Sequence, residues 1–503
     1  AGRQSTAHLP GKRNSGANGK AMLTRSLRGA AVGQISRSRA SSMAAAQAAQ
    51  PSVWELDLPA LRPAARRADL PDLKLGPVVH NFSSGPGPLP AAVMERAQSE
   101  LLSWPEAPGM SVMSVSHRES GGPYQRLMVR VEQLVREALD VPANYAVLFM
   151  QGGAHAQFSA VPLNLASPAA DGGLRSTSHI DTGFWARRAA TEHAKYTRVA
   201  WAASADPAEQ TGLSRGGACK RARPWAESGS PHVSVPPVQE WAYSHHDAYV
   251  HLCANETISG LELFTDPSLP PLPPLPPHLA AASGRRLSVP GAPPPPPPPL
   301  VADFTSTLLS RPVDVGKYGV VYCSGGKNLG PAGVTLVLVR DDLLGSPHPL
   351  CPSAMSYSAM ASTSPIPNLY LTPPTFSLYM VGLVLEHLRE AGGVATAERR
   401  AALRSGWLYE VIDSSRGFYQ NSVEPSSRSR MSVPFTLAPG ARSPEELAAL
   451  EQTFLAEAEA AGFTHLRGHP LAGEPAAHPA HAAALHPQTR AHTHRHRHLS
   501  RAP

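Results

Sequence analysis

The chain contains 503 residues, of which 17% are charged, and its formal net charge is +7. This length allows two domains and a large buried core. The sequence contains no run of ~18 apolar residues, so we expect no membrane span. The four cysteines, Cys219, Cys253, Cys323 and Cys351, lack the paired spacing of a disulfide framework or a zinc site. We therefore expect no membrane partner and no metal.

The first 54 residues contain no acidic residue, whereas Arg, Lys, Ser and Ala recur from Arg3 to Arg39. This composition is typical of an organelle transit peptide and predicts that residues 1–54 are disordered. A reducing plastid stroma or mitochondrial matrix would suit the unpaired cysteines.

A helix and a strand are predicted ahead of a glycine pair. The helix carries apolar residues on one face, at Leu127, Val131, Leu134 and Ala138. The strand-like segment Tyr145–Met150 then runs into Gly152 and Gly153, with a second helix after them. Glycines between a strand and a helix let backbone N–H groups approach a phosphate, whose charge the helix N-terminus favours. This pattern predicts a phosphate site.

Two insertions interrupt the alternation of strands and helices. One, about 213–237, is basic and contains prolines; the other runs through 267–299 and includes the tract Pro293–Pro299. Proline runs favour polyproline II and cannot join a sheet, so we expect exposed loops. Docking of an SH3-like partner on the second insertion is the alternative to a tolerated loop.

Lys327 lies in the glycine-rich turn Ser324-Gly-Gly-Lys-Asn-Leu-Gly-Pro-Ala-Gly333 between two predicted strands, 318–323 and 334–339. A lysine desolvated there would have a lowered pKa, and its amine could attack a carbonyl to form a Schiff base. Upstream, an apolar run ends on Asp303, where an anion could face the pyridinium nitrogen of pyridoxal phosphate. Alternatively, Lys327 is a surface hairpin lysine and Asp303 caps a turn.

Three helices are predicted nearer the C-terminus. They span 376–391, 397–412 and 443–461, and the last opens on Ser443-Pro-Glu-Glu446, which provides an N-cap, a proline at the first helical position and a glutamate at the third. Beyond residue 470 no helical or strand periodicity is visible, so we expect 470–503 to be a disordered tail. Its tract His492–His498 could bind metal or nucleic acid, but a solvated tail is the favoured interpretation.

Several blocks, taken in chain order, resemble the phosphoserine aminotransferase family, which is a class-V family of pyridoxal phosphate enzymes. They include Asn81-Phe-Ser-Ser-Gly-Pro86, Ser116-His-Arg118, Asn255-Glu-Thr-Ile258, Lys327–Gly333, Thr372-Pro-Pro-Thr-Phe376 and Arg428-Ser-Arg-Met431, and the similarity spans residues 79 to 469. The resemblance implies fold type I in the α/β class, with a mostly parallel seven-stranded sheet. It places a large cofactor domain at 79–375, an incomplete small C-terminal α/β domain at 376–469, and a homodimer.

The resemblance also implies roles for individual residues. Lys327 would hold the cofactor and move the substrate proton, and Asp303 would pair with the ring nitrogen. Trp185 would stack on the cofactor ring, and Thr257 would reach the ring hydroxyl. The alternative is that Trp185 is an ordinary core aromatic and Thr257 an ordinary strand residue. Ala154 and His155 would bind the cofactor phosphate, and Thr372 would contact that phosphate across the dimer interface.

The implied reaction moves the amino group of L-glutamate to 3-phosphohydroxypyruvate, giving O-phospho-L-serine and 2-oxoglutarate. Arg118 would bind the substrate carboxylate, beside His117 and with His469 as a further substrate residue; a solvated surface charge is the alternative for Arg118. Serine synthesis in photosynthetic eukaryotes favours the plastid stroma over the mitochondrion. No nucleic-acid partner is implied.

Three departures from the family pattern stand out. Gly326 replaces a glutamine before the lysine, and Leu371 replaces an asparagine before Thr372. After His469 the chain continues with Pro470 and Leu471, so neither of the arginines that the family uses for the substrate phosphate is visible. A catalytically impaired cofactor binder and another type I aminotransferase therefore remain as alternatives.

Overall fold

The computed structural model describes residues 79–468 with gaps, and residues 481–484. The gaps are 84, 169–171, 206–231, 273–295, 346, 364–366, 438–439 and 441. The predictions for 1–54, for most of both insertions, for His469 and for most of 470–503 lie outside the described residues.

The described residues form eight α-helices and twelve short strands. The helices are α1 (Ala91–Glu100), α2 (Pro123–Leu139), α3 (Gly153–Leu165), α4 (Phe184–His193), α5 (Tyr357–Ala361), α6 (Thr375–Glu390), α7 (Gly393–Ser414) and α8 (Pro444–Ala460). The strands are β1 (His80–Asn81), β2 (Tyr145–Met150), β3 (Ser176–Asp181), β4 (Arg198–Ser204), β5 (Val250–Cys253), β6 (Leu300–Asp303), β7 (Val320–Ser324), β8 (Thr335–Arg340), β9 (Tyr419–Gln420), β10 (Ser432–Leu437), β11 (Phe463–Thr464) and β12 (His481–Ala484).

Seven strands form one sheet in the order β2-β8-β7-β6-β5-β3-β4. Neighbours from β4 through β7 are parallel, and β8 is antiparallel to both of its neighbours. Parallel sheets need helices on both faces, which is the arrangement of α/β folds. The mostly parallel seven-stranded sheet predicted from the resemblance is confirmed.

Side chains alternate between two hydrophobic clusters on opposite faces of this sheet. In β8, Leu336 and Leu338 pack into the cluster with α1, α2 and α6, whereas Val337 and Val339 pack into the cluster with α3 and α5. This is the two-residue period of a strand. Because both faces are covered, the strands read as continuous apolar runs in the sequence.

The C-terminal helices differ in where they pack. α6 lies in the main hydrophobic cluster against α2, although it was assigned to the small domain 376–469. α7 and β10 form a separate small cluster around Tyr409, Ile412 and Val433. α8 opens with the predicted capping box, in which Ser443 and Glu446 bond reciprocally. The proposed boundary at 375 stays a prediction.

Two short pairings join distant parts of the chain. β1 pairs in parallel with β11, so the segment that opens the predicted large domain lies against the end of the small one. β12 pairs antiparallel with β10. The prediction of no strand beyond residue 470 is wrong for 481–484, because pairing at an open sheet edge uses backbone groups and needs no side-chain pattern.

The prediction of exposed loops for both insertions is wrong at described edges of both. Pro267 and Pro298 of the second insertion are buried, and so is part of the first insertion. His232 is only 2% exposed, because its ring nitrogen Nε2 lies 3.1 Å from a carboxylate oxygen of the buried Asp181. The last residues of this segment are therefore anchored in the core.

Candidate active site

The candidate site lies at the carboxyl edge of the large sheet. Parallel strands end on the same side, so Asp181, Cys253 and Asp303, the last residues of β3, β5 and β6, reach one edge. Lys327 follows β7 by three residues. In open α/β sheets, ligands bind outside the carboxyl ends of the strands.

A network of backbone hydrogen bonds fixes the lysine loop. The N–H of Gly326 donates to the carbonyl of Gly330, and the N–H of Gly87 donates to the carbonyl of Gly326. At Gly325 an added Cβ would lie 2.2 Å from the carbonyl oxygen of Pro331, so only glycine fits. Gly326 has φ +107°, which favours glycine over the glutamine expected from the family.

The amine of Lys327 is the candidate nucleophile of this site. Among the described residues, no hydrogen bond or ion pair involves its Nζ. Burial lowers the pKa of the Lys327 amine below its ordinary value, and the charge of Asp303 acts in the opposite direction. A lysine with a lowered pKa is a nucleophile for carbonyl groups.

Asp303 is 6% exposed. Its Oδ1 accepts a 2.8 Å hydrogen bond from the backbone N–H of Thr305. Burial raises the pKa of Asp303, while the hydrogen bonds from Thr305 and the charge of Lys327 oppose that change. A positive ring nitrogen would stabilise the ionised carboxylate further.

Trp185 is the second residue of α4. Its indole Nε1 donates a 2.8 Å hydrogen bond to Oγ1 of Thr257, and its ring lies edge-on to the ring of His155, with 5.8 Å between centroids. The structure thus brings together Trp185, Thr257 and His155, and the charge of His155 acts on Asp303.

The N-terminus of α3 supplies backbone donors. Gly152, with φ +91°, precedes the helix, and Ala154 and His155 occupy its first turn. Within the described part of the chain their N–H groups have no acceptor, as is usual for a first turn. The side-chain amide of Gln151 donates to the carbonyl of Thr372 at 2.9 Å, so Thr372 also lies at this helix end.

No hydrogen bond, ion pair or ring contact among the described residues joins His117 or Arg118 to Lys327. Arg118 is exposed, and its backbone N–H donates to Oγ of Ser116. His117 lies edge-on to Tyr124, 6.4 Å between centroids. His469 lies outside the described residues.

Sequence reasoning missed Glu256, although it lies inside the block that contains Thr257. Its buried carboxylate accepts hydrogen bonds from the backbone N–H groups of Trp185 and Ala186. A buried glutamate next to a predicted ring-binding threonine was the available signal, because buried carboxylates need partners.

A cluster of buried histidines beneath the site was also unforeseen. His179, His193 and His251 have ring centroids 4.9 to 5.2 Å apart. Burial lowers the pKa of all three, so they stay neutral at pH 7.

No group of His, Cys, Asp or Glu in the described residues could hold a metal ion, and none of the described helices is both long and apolar enough to cross a membrane.

The donor set fits pyridoxal phosphate. An amine without a partner among the described residues, a buried carboxylate, an indole and a helix N-terminus match the aldehyde, ring nitrogen, ring face and phosphate of that cofactor. The fold and the site together define a pyridoxal phosphate-dependent enzyme of fold type I.

Comparisons with known proteins narrow this class. A family model described as aminotransferase class-V matches residues 79–209 and 299–469. The phosphoserine aminotransferase of Ralstonia nicotianae is 39% identical over 401 residues, which cover 78% of this chain and 88% of that protein.

Solved structures agree. Phosphoserine aminotransferase from Bacillus circulans subsp. alkalophilus is 31% identical, with a TM-score of 0.63 over 82% of this chain and 94% of that one. The enzyme of the same name with bound pyridoxal phosphate, from Trichomonas vaginalis, is 28% identical, with a TM-score of 0.63 over 82% of this chain and 96% of that one. The chain belongs to the class-V aminotransferase family and, within it, to the phosphoserine aminotransferases.

Proposed function

We propose that the protein is a pyridoxal phosphate-dependent transaminase that moves the amino group of L-glutamate to 3-phosphohydroxypyruvate, in L-serine biosynthesis. The products are O-phospho-L-serine and 2-oxoglutarate. The observation that carries this proposal is the unpaired amine of Lys327 beside the buried Asp303, in a chain whose relatives have this activity by name.

Lys327 is the proposed catalytic residue. When bound, pyridoxal phosphate supplies the carbonyl group that takes up the amino group and a ring that withdraws electrons. The lowered pKa of Lys327 favours its neutral amine, which can attack that carbonyl. Once Nζ is free again, it would move a proton between the α-carbon of the amino acid and the cofactor.

Asp303, Trp185 and Thr257 would bind and orient the ring. The carboxylate of Asp303 would face the ring nitrogen and keep it protonated. Trp185, held at Nε1 by Thr257, would present its face for stacking. The first-turn N–H groups at Ala154 and His155 would bind the phosphate. Thr372, whose carbonyl accepts a hydrogen bond from Gln151 of its own chain, would contact the cofactor phosphate across the dimer interface.

We further infer a homodimer, in which Arg118 and His117 serve substrate binding. Two features support this inference: the exposed Arg118, and large apolar side chains exposed on α1, α2 and the segment between them. These are Met94, Leu102, Met110, Met113 and Val129, between 45% and 84% exposed. Exposed apolar surface of this extent marks an interaction site.

A mixing experiment tests both the dimer and the site of action of Arg118. Arg118→Ala and Lys327→Ala proteins are co-expressed, and hybrid dimers are purified with two different tags. If Arg118 serves the partner's Lys327, the hybrid regains one intact site and about half of the wild-type activity. If Arg118 serves its own chain, no activity returns. A monomer by light scattering would refute the dimer.

For localisation we propose an organelle, the plastid stroma ahead of the mitochondrion. The support is the absence of acidic residues in positions 1–54. A fluorescent reporter fused after residue 54 should accumulate in the plastid of a plant cell. A reporter that stays in the cytosol would contradict the proposal.

The activity is tested by supplying glutamate with one keto acid at a time. We expect 3-phosphohydroxypyruvate to be preferred over hydroxypyruvate and glyoxylate. Preference for a keto acid without phosphate would indicate a different type I aminotransferase.

A catalytically impaired cofactor binder is the second candidate. It is favoured by Gly326, which offers no side chain where the resemblance implies a glutamine. Cofactor binding without conversion by glutamate would establish this candidate.

A further inference from the structure

Glu256 holds the start of α4 from a different part of the chain. Its Oε2 accepts a 3.0 Å hydrogen bond from the backbone N–H of Trp185, and its Oε1 accepts a 2.8 Å bond from that of Ala186. The side chain is fully buried. Two N–H groups that a helix leaves without intrahelical partners are thus both bound by one carboxylate.

The adjacent residue holds the indole of the same tryptophan. Thr257 accepts a hydrogen bond from Nε1 of Trp185 at 2.8 Å. Residues 256 and 257 therefore fix the backbone and the ring of Trp185 at once. Neither the helix start nor the indole can rotate without breaking one of these bonds.

Gly183 makes the approach of the carboxylate possible. Its φ is +152°, and an added Cβ would lie 2.8 Å from Cδ of Glu256 and 2.8 Å from Oγ of Ser259. No side chain fits there without displacing the glutamate. Gly183 therefore leaves the space that the side chain of Glu256 occupies.

We propose that Glu256 is a positioning residue that fixes the orientation of Trp185 before the cofactor binds, and that loss of its ionised form loosens Trp185. This inference rests on the proposed function only in that Trp185 is taken to stack on the cofactor. Positioning in advance lowers the ordering cost of binding.

The burial of Glu256 and the charges around it set the pH at which its carboxylate takes up a proton. Burial raises the pKa of Glu256 to about 7, the N–H groups of Trp185 and Ala186 and the charge of His232 oppose that change, and Asp181 adds to it. Lys327 and Cys253 are the other titratable groups whose charges interact with Glu256. A protonated carboxyl is a weaker acceptor than a carboxylate, so its hydrogen bonds to the two N–H groups weaken below neutral pH.

The test uses tryptophan fluorescence of the cofactor-free protein. The signal of Trp185 is the difference between wild type and Trp185→Phe, recorded from pH 5 to pH 9. We expect an inflection near pH 7, absent in Glu256→Gln. In that variant the rate of pyridoxal phosphate release should rise about tenfold, as the loss of one hydrogen bond to a charged group predicts.

Two control variants separate other causes. Glu262→Gln changes a second buried glutamate, which bonds Arg430 and makes no described contact with Trp185, so the inflection should remain. His155→Asn removes the ring that lies edge-on to Trp185, and the inflection should remain there too.

An inflection that persists in Glu256→Gln, or one that disappears in His155→Asn, would overturn the proposal. If Glu256→Gln does not fold, the wild-type titration still decides, because a flat Trp185 signal between pH 5 and pH 9 also overturns it. Failure of the proposed function is recognised separately, since it would leave the fluorescence titration intact while the wild type shows no activity.

Discussion

Asp181→Asn is expected to destabilise the protein by ~3–5 kcal/mol, because it breaks a buried ion pair by removing one partner. Both carboxylate oxygens accept from Arg187, at 2.7 to 3.1 Å, and Oδ2 also accepts from Ser204 at 2.7 Å. The two charged side chains are 0% and 4% exposed. In the asparagine variant, the guanidinium would stay buried without its counter-ion.

The pH dependence gives a second estimate. Burial alone would raise the pKa of Asp181, but hydrogen bonds and charges from His232 and Arg187 lower it from 3.8 to about 2. At ~1.4 kcal/mol per pH unit, this corresponds to ~2 kcal/mol of stability. Because the folded pKa is the lower one, the contribution is present above pH 4 and is lost as the pH falls towards 2. Asp181→Asn is expected to cost more than this ~2 kcal/mol, because it also removes the negative charge that faces the buried guanidinium of Arg187.

The assay is urea unfolding at pH 7, with Asp342→Asn as the matched control. Asp342 binds Arg340 at 2.5 Å, but this pair is 60% and 31% exposed, and exposed pairs contribute at most ~1 kcal/mol. The reasoning is refuted if Asp181→Asn costs no more than Asp342→Asn. It also fails if the wild type loses none of the predicted stability between pH 4 and pH 2.

Two further predictions concern the site. Asp303→Asn should still bind pyridoxal phosphate but react with glutamate at least ~100-fold more slowly in stopped-flow measurements, because no charge then faces the ring nitrogen; an unchanged rate would contradict the role of Asp303. Gly325→Ala should lose cofactor binding, because its Cβ would lie 2.2 Å from the carbonyl oxygen of Pro331, whereas Gly345→Ala has open space and should bind normally; equal binding of both in a cofactor titration would show that the lysine loop adapts.

Elements with local signals were predictable from the sequence. β2 has the expected bounds, Tyr145–Met150, because a short apolar run is bounded by polar residues and glycines. α8 begins where Ser443 and Pro444 indicated, since capping depends on neighbouring residues alone. The turn around Lys327 also lies between two strands as expected, with bounds shifted by one or two residues.

Features that depend on distant contacts were not predictable. α6 resembles any apolar helix in sequence, and only the fold places it against α2. The bonds from Trp185 and Ala186 to Glu256 join residues far apart in the chain, and no spacing rule relates them. β12 forms because β10 offers an open edge, and the sequence of residues 481–484 alone does not indicate this pairing. The order of Asp303 and Lys327 along the chain helped to predict the site. Each residue follows or ends a strand, and the parallel strands β6 and β7 end at the same edge of the sheet.

Lys327 is proposed to hold the cofactor, and glutamate is proposed to react with the cofactor there. The direct measurement is the visible absorbance of the purified protein with pyridoxal phosphate, before and after glutamate, with Lys327→Ala and Lys317→Ala in parallel. Lys317 is an exposed lysine bonded to the carbonyl of Asp266 and serves as the control.

We expect a band of bound cofactor in the wild type and in Lys317→Ala that fades when glutamate is added, and no such band in Lys327→Ala. A band that persists in Lys327→Ala, or a wild-type band that glutamate leaves unchanged, would contradict this expectation.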